Sequence, residues 1–318
     1  MSEGPDIVAR LLAAEEPSIR LKVRAGVLGE EPGSAAREEV RQSARVRALL
    51  SERGADGTIP NHPYTKWNGA HWVLATLADL GYPAGDESLV PLREKVYGWL
   101  LSDYHERRWV PPVDGRSRMH ASQEGNAIWA LLTLGLADDG VERLVERLVV
   151  TQWPDGGWNC DTGASGRTSA FGESLLPLRG LALYARVTGS ARSREAAARC
   201  AEVFLTRRLF RRRSDGRIID QEFVELHYPC YWRYDVLVGL RVMHEAGYLD
   251  DERCEDALDL LESKRLPDGG WPAEGRFYGA GAGRRSIVDW GGANRRRSNE
   301  WVTADALTVL LAAGRGGA

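Results

Sequence analysis

Apolar positions along this chain recur at intervals of three and four, in two kinds of segment that alternate. The first kind is amphipathic and covers residues 36–51, 88–102, 140–152, 193–207 and 251–264, the third containing VERLVERLVV. The second kind is apolar almost throughout: HWVLATLADLGY, NAIWALLTLGL, ESLLPLRGLALY, RYDVLVGLRVMHEAGY and EWVTADALTVLLAAG. A glycine-rich turn and a polar stretch of variable length separate each amphipathic segment from the apolar one after it. Gly81, Gly135, Gly247 and Gly314 fall where four apolar segments end, as a helix C-terminus favours. The pattern predicts five helix pairs, with amphipathic outer helices covering apolar inner ones. That is an all-α chain of the α/α-toroid class, closed or incomplete as a ring, with an open solenoid as the alternative. Strand signals are nearly absent, and only GRIIDQEFVEL (216–226) suggests a short ribbon.

The pairs repeat about every 50–60 residues. Asp-Gly-Gly-Trp stands at 155–158 and again at 268–271, with fragments at Asp56-Gly57, Arg108-Trp109 and Asp215-Gly216. We expect one domain, 1–318, with an N-terminal helical segment (1–33) and repeats at 34–83, 84–137, 138–189, 190–249 and 250–318. Net charge is −3, from 42 basic and 45 acidic residues, so no basic footprint for nucleic acid exists. No apolar run reaches the length of a membrane span, and the first residues lack a signal-peptide pattern, so a cytoplasmic protein is expected. Four cysteines are too few for a disulfide scaffold of this size. Eleven tryptophans stand against five phenylalanines, and eight of them fall into two sets. Trp158, Trp271 and Trp109 belong to the turns, while Trp67, Trp72, Trp129, Trp232 and Trp301 lie on or beside inner helices.

Gln152-Trp153-Pro154-Asp155-Gly156-Gly157-Trp158 resembles the QW motif of the terpene cyclase and prenyltransferase toroid superfamily, and Arg265–Trp271 repeats it with arginine in place of glutamine. The resemblance implies a small hydrophobic, isoprenoid substrate, and cyclase (isomerase) or prenyltransferase chemistry through a carboxylic acid or zinc. The triple-aspartate motif of class II cyclases is absent, which leaves Asp161 as a lone acid after the first turn. Asp138-Asp139 superficially looks like an acid-rich magnesium site but stands where a helix begins, which favours capping. Zinc in the prenyltransferases is held by Asp, Cys and His, and the corresponding candidates are Cys160, His227 and Cys230.

Inner-helix starts would gather at one mouth, where chemistry is expected. Glu124, Glu173 and Glu300 each precede a leucine by ten residues, which suggests equivalent places on three inner helices. With Asp161 they are the candidate catalytic acids, against a competing role in capping helix N-termini. Trp67, His71, His120, Phe171, Tyr231, Trp232 and Trp301 are the candidate substrate contacts. His105 is expected at the surface, and the Gly- and Arg-rich stretch 279–297 as a lid. Two other functions compete: a carbohydrate-active toroid with paired carboxylates in a wet groove, and a non-catalytic binding scaffold. Oligomeric state is left open.

Overall fold

A computed structural model describes residues 6–107, 110–113, 115–163, 166–278 and 286–315. Its helices are α1 (Ile7–Leu12), α2 (Pro17–Gly26), α3 (Ser34–Arg41), α4 (Ala44–Leu50), α5 (Ala70–Leu80), α6 (Val90–Leu100) and α7 (Asp103–Arg107). After a small antiparallel hairpin, β1 (Val110–Val113) and β2 (Arg116–Arg118), come α8 (Ala121–Thr133), α9 (Asp139–Thr151), α10 (Phe171–Thr188) and α11 (Ala191–Leu205). The last three are α12 (Val236–Ala246), α13 (Glu255–Ser263) and α14 (Glu300–Ala312). The chain is all-α and of the α/α-toroid class, as the periodicity predicts, and Gly81, Gly135, Gly247 and Gly314 all take left-handed φ at helix ends. Residues 216–226 pair only at their start, where Ile218 forms a single antiparallel bridge with Arg211, the Arg212 N–H meeting the Arg217 carbonyl and the Ile219 N–H the Phe210 carbonyl. Asp220 caps the N–H of Glu222, which starts a 3₁₀ turn over Gln221–Val224. The expected helix 36–51 is split into α3 and α4 where Ser43 caps α4. Arg108, Trp109 and residues 279–285 of the expected lid lie outside the described residues.

The chain divides into two compact units. One comprises Met1–Ser51, Leu80–Pro83 and Arg207–Ala318, and the other Glu52–Asp79 and Ala84–Thr206. In the first, α14 packs on α2 and α12. In the second, α10 packs on both α8 and α11, and α9 covers α8 with Val141, Leu144, Val145 and Leu148. The axes of α8 and α10 come unusually close. A methyl on Gly125 would overlap the backbone of Leu176 and Pro177, and one on Gly180 would lie 2.7 Å from the Gly125 carbonyl oxygen. Pro177 sits inside α10, where it has no N–H to donate and frees a carbonyl one turn earlier.

Both Asp-Gly-Gly-Trp segments are turns with one construction. In the first, the Trp153 N–H bonds the Gly157 carbonyl, and Gly156 has φ +101°. The Gln152 amide donates to the Gly156 and Ala196 carbonyls at 2.6 and 2.8 Å. Arg265 takes the glutamine's part in the second, donating to the Gly269 carbonyl at 3.1 Å. Asp155 accepts from Ser169 as Asp268 accepts from Ser298, and the Ser174 hydroxyl meets the Trp158 N–H as the Thr303 hydroxyl meets that of Trp271. The indoles of Trp158 and Trp271 are buried and bonded through Nε1 to Thr151 and to the Leu261 carbonyl. The motif therefore closes one helix pair onto the next.

This shared construction registers the two repeats residue by residue. The Trp158 carbonyl accepts from Ala170 N–H, and the Trp271 carbonyl from Asn299 N–H. Glu173 consequently corresponds to Val302, and Glu300 to Phe171, so Glu173 and Glu300 are not equivalents.

Candidate functional site

The second unit gathers His120, Cys160 and Glu173 at the joined N-terminal ends of α8 and α10. Backbone bonds set the three in place. Met119 N–H donates to the Asn159 carbonyl at 3.2 Å, so the residues that follow each, His120 and Cys160, become neighbours. The Asn159 side chain donates to the Thr168 carbonyl at 2.8 Å, and the Ala170 N–H to that of Trp158, which brings in the first turn of α10. His120 is the N-cap residue of α8 but makes no capping bond of its own. Glu173, reaching from the neighbouring helix, accepts the free Ser122 N–H at 3.0 Å with one oxygen and meets His120 Nδ1 at 3.1 Å with the other. Donor atoms of His120, Cys160 and Glu173 all lie within 4.8 Å of one another, the only such trio among the described residues.

Contact with Cys160, and then with Glu173, raises the His120 pKa to about 10. The pair at neutral pH is therefore an imidazolium on a carboxylate. Glu173 is mostly buried while the His120 side chain is 57% exposed, so the pair meets water through the imidazole. Beside the pair stand Gln123 and Tyr64. The Tyr64 hydroxyl bonds Gln123 and lies in the field of Glu173, and burial pushes its pKa up to about 12. Tyr64 in turn lies against Trp99 at 5.4 Å between centroids, both rings partly exposed, with His62 edge-on to Trp99.

The other sequence candidates take different parts. Asp161 is exposed in the loop after Cys160, its carboxylate accepting from Gly163 N–H. Glu124 is fully buried and held by Arg147 at 2.9 Å, and Arg147 also binds the Leu100 carbonyl and Glu106. Glu300 is exposed at the start of α14. His71 is buried, its Nε2 accepts from the Asn126 side-chain amide at 3.1 Å, and burial drives its pKa down to about 3, so it stays neutral. Trp67 packs edge-on to Trp72, and Phe171 packs on Phe204. In the first unit Trp301 stacks on Tyr228 at 4.9 Å, and Tyr231 takes φ 54° next to Trp232, which lies under Arg233. His227 and Cys230 both bond Asp235, through Nδ1 at 3.3 Å and Sγ at 3.4 Å. His105, expected at the surface, is buried edge-on to Trp99 and 3.9 Å from Glu124.

Sequence reasoning missed Ser122, Gln123, Trp99 and Arg147. Ser122 contributes only a backbone N–H, which no residue type announces. Arg147 carried a signal, being a charge three residues after Leu144 on the buried stripe of α9.

The Glu124 carboxylate gives a pH-dependent stability. Burial raises its pKa to about 7, against the pull of Arg147, and its second oxygen has no partner. A native pKa above the unfolded one stabilises the fold fully below the unfolded value of 4.5, and this is lost as pH rises through about 7. Urea unfolding from about pH 5 to about pH 8 should lose up to about 3 kcal/mol through this group. Glu124→Gln, neutral throughout, should flatten that fall. An equally steep fall in the variant would locate it elsewhere.

No family model matches this chain, and no curated protein matches it. Among solved structures, it is similar to the unsaturated glucuronyl hydrolase of Bacillus sp. GL1, responsible for the degradation of glycosaminoglycan. That match has 17% identity over 95% of this chain and 86% of the other, at a TM-score of 0.43. It is also similar to a protein from Actinoplanes, with 20% identity over 92% of this chain and 89% of the other, at a TM-score of 0.44. These findings correct the resemblance to terpene cyclases and prenyltransferases. The physical reason is that the Gln-x-x-x-Gly-x-Trp segment is a helix-pair closure, which marks architecture and not chemistry. The expected hydrophobic substrate loses its basis with it, since the gathered cluster is polar. No described helix is long and apolar enough to cross a membrane.

Proposed function

We propose that this protein is a carbohydrate-active enzyme in which Glu173 and His120 handle the proton of glycosidic bond cleavage. One observation carries the reading: the exposed His120 imidazole held on the buried Glu173 carboxylate, which is itself clamped by the Ser122 N–H at the joined ends of α8 and α10. Sugars demand such a place. Cleaving a glycosidic bond needs a proton delivered to the leaving oxygen and a carboxylate to balance the positive charge that develops on the ring. His120 supplies the proton, and Glu173 supplies the fixed negative charge without having to reorganise. Tyr64 and Trp99 offer partly exposed ring faces for a pyranose, and Gln123 with the Tyr64 hydroxyl offers polar partners for its hydroxyls.

Glu124 does not join the chemistry, because Arg147 neutralises it inside the core.

The reading is tested by titrating the protein with a panel of oligosaccharides, neutral and acidic, while tryptophan fluorescence and reducing-end release are followed. Turnover of at least one member is expected. In Trp99→Ala, KM for that member should rise about tenfold with kcat changed much less, since the ring binds ground and transition states alike. No turnover of any member, or a Trp99→Ala variant with unaltered KM, would count against the proposal.

A further inference from the structure

The geometry points to a zinc site formed by His120, Cys160 and Glu173. This is a different ligand set from the Cys160, His227 and Cys230 that spacing suggested. Three donors of the types zinc prefers, an imidazole nitrogen, a thiolate sulfur and a carboxylate oxygen, lie within 4.8 Å of one another. Donors on a tetrahedral zinc stand about 3.5 Å apart, so small side-chain rotations close the set. His120 and Glu173 already meet at 3.1 Å. The exposed side of His120 leaves the fourth position to water.

Two further observations separate this cluster from chance. The first is support behind the donors: the second oxygen of Glu173 is held by Ser122 N–H, and the loop bearing Cys160 is pinned through Asn159 to Met119 and Thr168. The second is the internal repeat. In the equivalent frame around Trp271, Ala273 stands at the place of Cys160 and Val302 at that of Glu173. The fold therefore does not need a thiol or a carboxylate there. The cluster in the other unit makes a useful contrast. Asp235 spends one oxygen on the His227 N–H and the other on capping Val238, and the Gly275 backbone lies against His227 Nε2. Those residues are committed to the fold.

Binding releases the Cys160 and His120 protons to solvent, and zinc replaces them. An occupied site leaves neither His120 nor Glu173 free for proton transfer, so zinc should inhibit glycan turnover. That consequence rests on the function proposed above, and the binding itself does not.

Cobalt(II) is the probe. Titration of the wild-type protein should produce a thiolate-to-cobalt charge-transfer band that saturates at one equivalent and is displaced by zinc. Cys160→Ser should abolish the band, Glu173→Gln should weaken binding at least about tenfold, and Cys230→Ser should leave it unchanged. A wild-type protein without the band overturns the site, as does a band that survives Cys160→Ser or disappears in Cys230→Ser. The readout uses no glycan. A stoichiometric band in a protein that turns over no sugar would therefore keep the metal site and remove the function.

Discussion

Gly125→Ala should cost about 3–5 kcal/mol of stability, enough to unfold a large share of the chain at moderate temperature. The added methyl has nowhere to go. It would stand 2.5 Å from Pro177 Cα and nearer still to Pro177 N and the Leu176 carbonyl carbon, all of them backbone atoms that no rotamer change can move. Only separation of α8 from α10 relieves the overlap, and the two helices are buried along most of their length. Dense interiors transmit such strain instead of absorbing it. The same separation would pull Glu173 away from the Ser122 N–H, so whatever protein remains folded should also lose activity. Gly98→Ala provides the control. It lies within α6, and a methyl there meets nothing within 4 Å. Because alanine is the better helix former, that variant should be neutral or up to about 1 kcal/mol more stable. Urea unfolding of the two variants beside wild type checks the pair. Equal stabilities would mean that the close approach of α8 and α10 is not a constraint.

The architecture was legible in the sequence because it is written in period and punctuation. The alternation of amphipathic and apolar segments gave the helix pairs, and glycines with left-handed φ marked their ends. The site was legible only as a list of residues. Glu124 and Glu173 occupy similar places in sequence and both are buried, yet Arg147 on α9 locks one in the core while the other sits on the Ser122 N–H beneath the exposed His120. That difference comes from helices brought together in space, and no local pattern records it. Glu300 seemed equivalent through its spacing to Leu310, but the turn register places it at the position of Phe171. Cys160 lacked a nearby partner in sequence, since its neighbour His120 arrives through the single backbone bond between Met119 and Asn159. The ribbon expected at 216–226 is cut to one bridge, Ile218 with Arg211, for a local reason: capping by Asp220 then turns the chain into a 3₁₀ turn. The motif that carried the family resemblance failed for a general one, because a turn that serves packing can recur wherever helices are paired.

Glu173→Gln should lower kcat/KM by about 10²–10⁴. The amide keeps the shape of the side chain and an oxygen for Ser122 N–H, so the fold should survive. What it removes is the negative charge, and two consequences follow. The cation that develops on the sugar ring loses its counter-charge, and His120 loses one of the two contacts that raise its pKa. The second consequence gives a signature beyond the rate. The proton on His120 should titrate at lower pH in the variant, visible in its imidazole NMR resonances. The loss should fall on kcat more than on KM, because the charge matters most in the transition state.

The most direct measurement of the central claim is reducing-end release from the oligosaccharide panel by wild type and Glu173→Gln side by side, with thermal unfolding recorded for both. The account predicts that wild type cleaves at least one glycan. It also predicts that the glutamine variant cleaves it at about a hundredth of that rate or less, with its unfolding transition within a few degrees of wild type. Equal rates in the two proteins would contradict it.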